Sequence, residues 1–281
     1  MFKSLLLQVS SYPEATPASA IGQAVTYAKL LDSRLTLLTF ENEIPAPQNV
    51  LANAIIDVGG MVAAERERSR SNVQTQLKLL REEAGADNVE HDELVERCMT
   101  SEMPEITVGR ARTHDLTLIP VDGADSFQNY IAECVIFGAG RPVLLVPVVP
   151  APMNKPRLEA VGIAWDFSRP AARAVADAMP ILMQADIVRI VIVTNDKPTD
   201  ASHSVEALVD NLAAHGIDAI VDEVPARGRP VGEALEHYAH GHFLNLLVMG
   251  AYGHSRFRDF LLGGATKSVV ANPPLPVFLS H

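Results

Sequence analysis

Chemistry-bearing residues crowd the stretch from Leu244 to His281. An apolar run of strand length closes on Met249 and Gly250, and Gly253 follows after two residues. Nine residues later stand Gly263 and Gly264, and the chain goes on ATKSVVAN before closing with PPLPVFLSH. A buried strand delivers the backbone to a sheet edge, and glycines there let a ligand approach the chain closely. A helix beginning after Gly263 would aim unpaired N–H groups, with partial positive charge behind them, at the same spot. That combination suits phosphate. His254, Arg256, Arg258 and Lys267 add positive or titratable groups. The plainer reading is a chain reversal with solvated arginines; the strand before and the helix after favour anion binding.

The elements that must position this stretch alternate in type. In the second half, strands are expected at Leu158–Trp165, Ile187–Val193, Ile217–Val224, Leu244–Met249 and Val277–Ser280. Helices are expected at Arg169–Gln184, Ser202–His215 (ended by Gly216) and Pro230–His240, with a further one after the glycine loop. Ser168 before Arg169-Pro170 reads as a helix N-cap. The first half repeats the order, with strands at Ser4–Val9, Arg34–Phe40, Val89–Val95, Asp115–Val121 and Pro142–Val148. Its helices are expected at Ser19–Leu31, Asn53–Ala84, Glu102–Arg112 and Ser126–Gly138. In the long one, Gly59-Gly60 is a candidate break and Gly85 a C-cap; Ser126 is a candidate N-cap. The charge run AAERERSRS reads as a solvated helix face. Four prolines between Pro147 and Pro156 mark a stiff linker. Two domains follow, 1–149 and 156–281. The fold class is α/β: two tandem doubly wound domains, each with a five-stranded parallel sheet.

Composition agrees. A chain of 281 residues suggests two domains at about 150 residues each. Net charge is −11, which argues against nucleic-acid binding through phosphates. Cys98 and Cys134 are far apart and form no metal or redox motif, so they read as small buried residues of a reducing compartment. MFKSLLLQVSSYPEA is a poor signal peptide, and no run reaches the ~18 apolar residues of a membrane helix. A soluble, cytoplasmic protein is expected.

Gly250-x2-Gly253-x9-Gly263 resembles the nucleotide loop of the universal stress protein family, and the repeated halves resemble its tandem type, with a HUP/Rossmann-like fold. The resemblance implies an adenine nucleotide, ATP or AMP, held by Asp166, Val193, Thr194, Met249, Gly250, Gly253, His254, Arg256, Gly263, Gly264, Ala265 and Thr266. Asp166, in a Trp165-Asp166-Phe167-Ser168 stretch similar to the family's V-D-x-S, would face the phosphates or hold Mg²⁺. The backbone near Val193 and Thr194 would meet the adenine. The family pattern continues with Ser or Thr after the last glycine; here Gly264 stands there, with Thr266 two positions on as a substitute hydroxyl. Family members with this loop are ATP or AMP binders, so the implied role is a stress-response regulator. Single-domain relatives often pair through the final strand. In a fused chain the two final strands would pair with each other as an intramolecular pseudo-dimer, and a further homodimer stays open.

The first half departs from this pattern. Aligning the fourth strands sets Pro120 at Gly250 and Gly123 at Gly253. Asp122, Asp125 and Glu133 then replace His254, Arg256 and Arg258 in sign. The first strand ends Gln8-Val9-Ser10-Ser11, without the aspartate. The first half is expected to keep the fold and not bind nucleotide; the alternative is a different, non-phosphorylated ligand.

Other readings compete. No well-placed base or nucleophile supports an evolved ATPase, although slow hydrolysis stays open. An adenylate-forming enzyme would need a Ser-Gly-Gly-rich or His-x-Gly-His loop that is missing. A nucleotide-free tandem scaffold presenting surfaces to protein partners is the main alternative. His237, His240 and His242 read as a polar helix terminus rather than a metal site. Arg227 and Arg229 read as a solvated turn that could reach phosphates.

Overall fold

Three consecutive leucines show how the sequence builds the sheet. Leu5 and Leu7 enter one hydrophobic cluster and Leu6 the other, all three buried. Successive side chains of a strand point to opposite faces, so a strand covered on both faces reads as a continuous apolar run. The structure is a computed structural model describing residues 1–45, 57–123, 125–148, 156–194, 204–251 and 273–281.

The first half runs β1 (Ser4–Gln8), α1 (Ala18–Leu30), β2 (Arg34–Asn42), α2 (Val58–Asp87), β3 (His91–Cys98), a 3-10 turn (Thr100–Glu102), α3 (Met103–Ala111), β4 (Leu116–Val121), α4 (Ser126–Gly138) and β5 (Val143–Pro147). The second runs β6 (Ala160–Ala164), α5 (Arg169–Leu182), β7 (Ile187–Thr194), α6 (Glu206–Ala214), β8 (Ala219–Pro225), α7 (Val231–Gly241), β9 (Leu246–Gly250) and β10 (Val277–Ser280). Among the described residues the strands form one sheet in the order β3-β2-β1-β4-β5-β10-β9-β6-β7-β8. Each half contributes five parallel strands, and the halves meet through antiparallel β5 and β10. There Leu144 pairs with Phe278, both fully buried, and the Phe278 ring lies 6.4 Å from that of Phe2.

Helices cover both faces. α1, α2, α5 and α6 contribute buried residues to one cluster, and α3, α4 and α7 to the other; both clusters run through both halves. The long α2 buries one stripe, Ser69, Val73, Gln76, Leu77, Leu80 and Ala84, and leaves its charges to solvent as expected.

Several local expectations are corrected. Gly59 and Gly60 do not break α2: they lie in its first turn, where the Asp57 carboxylate accepts from Gly60 N at 2.8 Å. Gly85 does not end it. The helix runs on to Asp87 and stops at left-handed Asn88, a residue that tolerates positive φ (54°). Ser126 is inside α4, and Asp125 is the cap, its Oδ1 accepting from Phe127 N and Gln128 N at 2.9 and 3.0 Å. β3 sits later than expected because its pairing follows β2 from Leu35 to Asn42. Ser168 does cap α5, accepting from Ala171 N at 3.2 Å, and Gly216 has φ +79° at the end of α6. The proline linker lies mostly outside the described residues, as do the start expected for α2 at Asn53 and that expected for α6 at Ser202.

Candidate functional site

In a doubly wound sheet the ligand crevice lies beyond the C-terminal strand ends where strand order reverses. Here that point falls between β1 and β4 in the first half and between β6 and β9 in the second. Strand register makes the two crevices comparable residue by residue. Leu5 pairs with Leu35 and Leu116, and Val161 pairs with Val188 and Leu246. Counting along the strands from these pairs, Ser10 matches Asp166, Phe40 matches Val193 and Pro120 matches Gly250.

In the second half, β6 and β9 lie side by side, with Ala164 opposite Met249. Beyond β6 the chain turns through Asp166, Phe167 and Ser168. Asp166 is exposed, and its Oδ1 accepts from Ser168 N at 3.0 Å. Phe167 is left-handed at φ 62°, uncommon for a bulky residue, and turns the chain into α5. Its ring meets that of Trp165 edge-on at 5.8 Å. Gly250 is needed for a reason the sequence did not show. A Cβ there would stand 2.4 Å from Ala171 N and 2.5 Å from the Pro170 carbonyl carbon. Its side-chain direction is therefore filled by the first turn of α5, and a ligand can meet only its backbone.

Met249 is buried in the core, so its side chain is not offered to a ligand. Val193 and Thr194 are half-buried at the end of β7, and the Thr194 carbonyl accepts from Ala226 N at 2.9 Å. Gly253, His254, Arg256, Gly263, Gly264, Ala265 and Thr266 lie outside the described residues. The described part brings Asp166, Gly250 and Met249 to adjacent strand ends, with β7 and its Val193 and Thr194 on the far side of β6. No group of three His, Cys, Asp or Glu that could hold a metal occurs among the described residues.

The first-half crevice is built differently. Phe40 is fully buried, and its carbonyl accepts from the Ser11 hydroxyl. Ser11 also meets Ser69 of α2 at 2.8 Å, and Asn42 N donates to Ser69 Oγ at 3.0 Å. Gln76, again from α2, joins Thr39 Oγ1 at 2.7 Å and donates to Ser10 O at 2.8 Å. Between β1, β4 and α4 lies a cavity of about 420 Å³ bordered by Ser10, Pro120, Asp122, Asp125 and Gln128. The sequence reading missed it. Its signal was Gln8 and Ser10 at the end of an apolar strand, where buried polar groups need partners.

The family model for the universal stress proteins matches residues 117–281. The chain belongs to the universal stress protein family. The fold is similar to that of a universal stress protein from Archaeoglobus fulgidus DSM 4304, at a TM-score of 0.70 and 15% identity, over 98% of this chain and 95% of that one. A functionally unknown protein from Pseudomonas aeruginosa PAO1 follows at 0.56 and 13%, over 99% and 92%. At these identities the likeness is one of fold. No curated protein matches the sequence.

His237, His240 and His242 are exposed, and His242 stacks on Tyr238 at 4.2 Å. Arg227 and Arg229 are exposed in the turn before α7. Cys98 is buried; burial first, then the carboxylates of Glu102, Glu96 and Glu43, push its thiol up to about 11. That is a thiol and not a nucleophile at neutral pH. No described helix is long and apolar enough to cross a membrane.

Proposed function

We propose that this universal stress protein is an adenine-nucleotide-binding regulator of the stress response, holding ATP or AMP in its C-terminal half, residues 156–281, and none in residues 1–149. The observation that carries the reading is the adjacency of β6 and β9. It sets the Asp166 turn beside Gly250, from which the chain leaves into the glycine-rich segment, at the point where strand order reverses. In this reading Asp166 shares Mg²⁺ with the phosphates. Val193 and Thr194 meet the adenine through backbone, Met249 and Gly250 contribute backbone alone, and amides of Gly253, Gly263, Gly264 and Ala265 cradle the phosphates. His254 and Arg256 neutralise charge, and the Thr266 hydroxyl replaces the one Gly264 lacks.

The first half supports a one-site reading. At Val193's counterpart, Phe40 is fully buried and its carbonyl is already bonded to Ser11. Asp122 and Asp125 border the first-half cavity, and each would repel a phosphate there. The β5–β10 pairing acts as an intramolecular pseudo-dimer, so a homodimer would use another surface. The protein works in the cytoplasm, and turnover is no part of its role beyond slow hydrolysis.

Gly264 in place of a hydroxyl favours a second reading, a nucleotide-free scaffold for protein partners. Thermal denaturation with ATP and Mg²⁺ separates the two. Nucleotide at a hundredfold excess over Kd stabilises by about 2.7 kcal/mol. The proposal expects that shift in the parent and its loss in Gly253→Val/Arg256→Glu; a parent that does not respond supports the scaffold.

A further inference from the structure

Ala251, where the chain leaves β9, is fully buried, and both of its backbone groups are bonded. Its N–H donates to Ser280 O at 2.8 Å. Its carbonyl accepts from Nδ1 of His281 at 3.0 Å. A carbonyl can only accept, so Nδ1 carries the proton of that bond. The imidazole thereby extends the β9–β10 ladder by one bond beyond the pairing of Ser280 with Gly250.

The first half makes the same bond with backbone. There the register counterpart of Ala251 is Val121, whose carbonyl accepts from Val148 N at 2.8 Å. A backbone amide serves whatever residue carries it. An imidazole serves only where a histidine stands with its ring correctly turned, so in the second half the bond depends on one side chain.

That side chain is oriented from the first half. The ring of Phe137 in α4 meets the His281 ring edge-on, with centroids 5.2 Å apart and planes at 76°. Antiparallel pairing explains the meeting: the end of β10 lies beside the beginning of β5, with Leu279 opposite Val143, and α4 ends just before β5. On the other side, Ser280 Oγ donates to Asp177 Oδ2 at 2.6 Å, and Arg173 Nε donates to the same oxygen at 2.7 Å. Arg173 and Asp177 belong to α5, whose first turn fills the side-chain direction of Gly250. The backbone of Gly250 and Ala251 is thus gripped from α5 and from β10, and His281 is the part of that grip that reaches the first half.

We propose that His281 is a positioning residue: its Nδ1–H fixes the direction in which the chain leaves β9, and Phe137 holds the imidazole in the orientation that does so. The consequence for binding rests on the nucleotide reading of the second half. It is that a side chain of the first half sets how tightly the second half holds nucleotide. His281 acts through Ala251 and touches no ligand.

The test is calorimetric titration of the folded full chain with ATP and Mg²⁺, alongside hydrogen exchange at the Ala251 amide without ligand. His281→Ala should weaken ATP by about three- to tenfold, the worth of one neutral hydrogen bond, and speed the exchange by a similar factor. His281→Asn, whose amide nitrogen stands where Nδ1 does, should restore both. His281→Phe keeps a ring against Phe137 without the donor and should behave as His281→Ala. Phe137→Leu should weaken ATP by about twofold or more. A merely structural histidine would lower the melting temperature and leave the affinity of the folded chain unmoved. Parent-like ATP affinity in His281→Ala or in Phe137→Leu overturns the proposal, as does failure of His281→Asn to restore it. A parent that binds no ATP sinks the nucleotide reading instead, and exchange then decides the positioning role. Faster exchange in His281→Ala, recovered in His281→Asn, supports it; exchange equal to the parent's overturns it.

Discussion

A methyl carbon added to Gly250 would stand 2.4 Å from the amide nitrogen of Ala171. The end of β9 and the first turn of α5 are thus in backbone contact, and glycine is required there before any ligand arrives. Gly250→Ala should destabilise the ligand-free protein by about 1–3 kcal/mol, the usual range for overpacking. Urea denaturation without nucleotide checks it; unchanged stability would mean that the glycine serves the ligand alone.

Tyr27 offers a test of opposite sign. Its ring is buried, its hydroxyl has no hydrogen-bond partner among the described residues, and burial raises its pKa far above the usual tyrosine value. An unsatisfied buried hydroxyl costs roughly 1–3 kcal/mol. Tyr27→Phe keeps the ring and removes that cost, so the variant should be as stable as the parent or more so, by about 1 kcal/mol. A clear loss of stability would show that the hydroxyl has a partner.

Phe278 ties the halves together. It pairs with Leu144 across the antiparallel junction and its ring meets that of Phe2. Phe278→Ala should cost about 3–5 kcal/mol. Because both core clusters run through both halves, the parent should unfold in one transition. Fluorescence of Trp165, the single tryptophan, reports on the second half and far-UV dichroism on the whole chain. Coincident curves are expected, and separated ones would show halves that fold alone.

Alkaline stability should depend on Tyr238. Burial, then its hydrogen bond to Asp222 at 2.6 Å, pushes its hydroxyl up to about 12. The folded group holds its proton more tightly than the unfolded one, whose value is about 10. Its contribution is complete below pH ~10 and is lost as pH rises toward ~12, where the unfolded chain binds fewer protons than the folded one. Tyr238→Phe should flatten the stability profile in that window; an identical slope would remove Tyr238 from the account.

Most of the fold was legible in the sequence because strands buried on both faces are continuous apolar runs and the helices between them carry recognisable ends. Boundaries failed where two local signals competed. At Asp125-Ser126 both residues could cap, and the carboxylate, one position earlier, reaches the two amides. At Gly85 a glycine suited the end of α2, but packing of Ala84 and pairing of β3 carried the helix on to Asn88. The site was legible only in part. Glycine spacing pointed to a phosphate loop, yet the contact of Gly250 with Ala171 and the Ser10–Gln128 hydrogen bond join residues far apart in the chain, which no local pattern reveals. The charge reversal between Asp122 and Asp125 in the first half and His254 and Arg256 in the second is a difference of sequence, and its second-half members lie outside the described residues.

The most direct test of a single C-terminal nucleotide site is the stoichiometry of ATP binding in the presence of Mg²⁺, measured by calorimetry on the full chain. One ATP per chain is predicted, lost in Gly253→Val/Arg256→Glu and kept in Asp122→Asn. Two ATP per chain, or one that survives the first variant and disappears with the second, would contradict it.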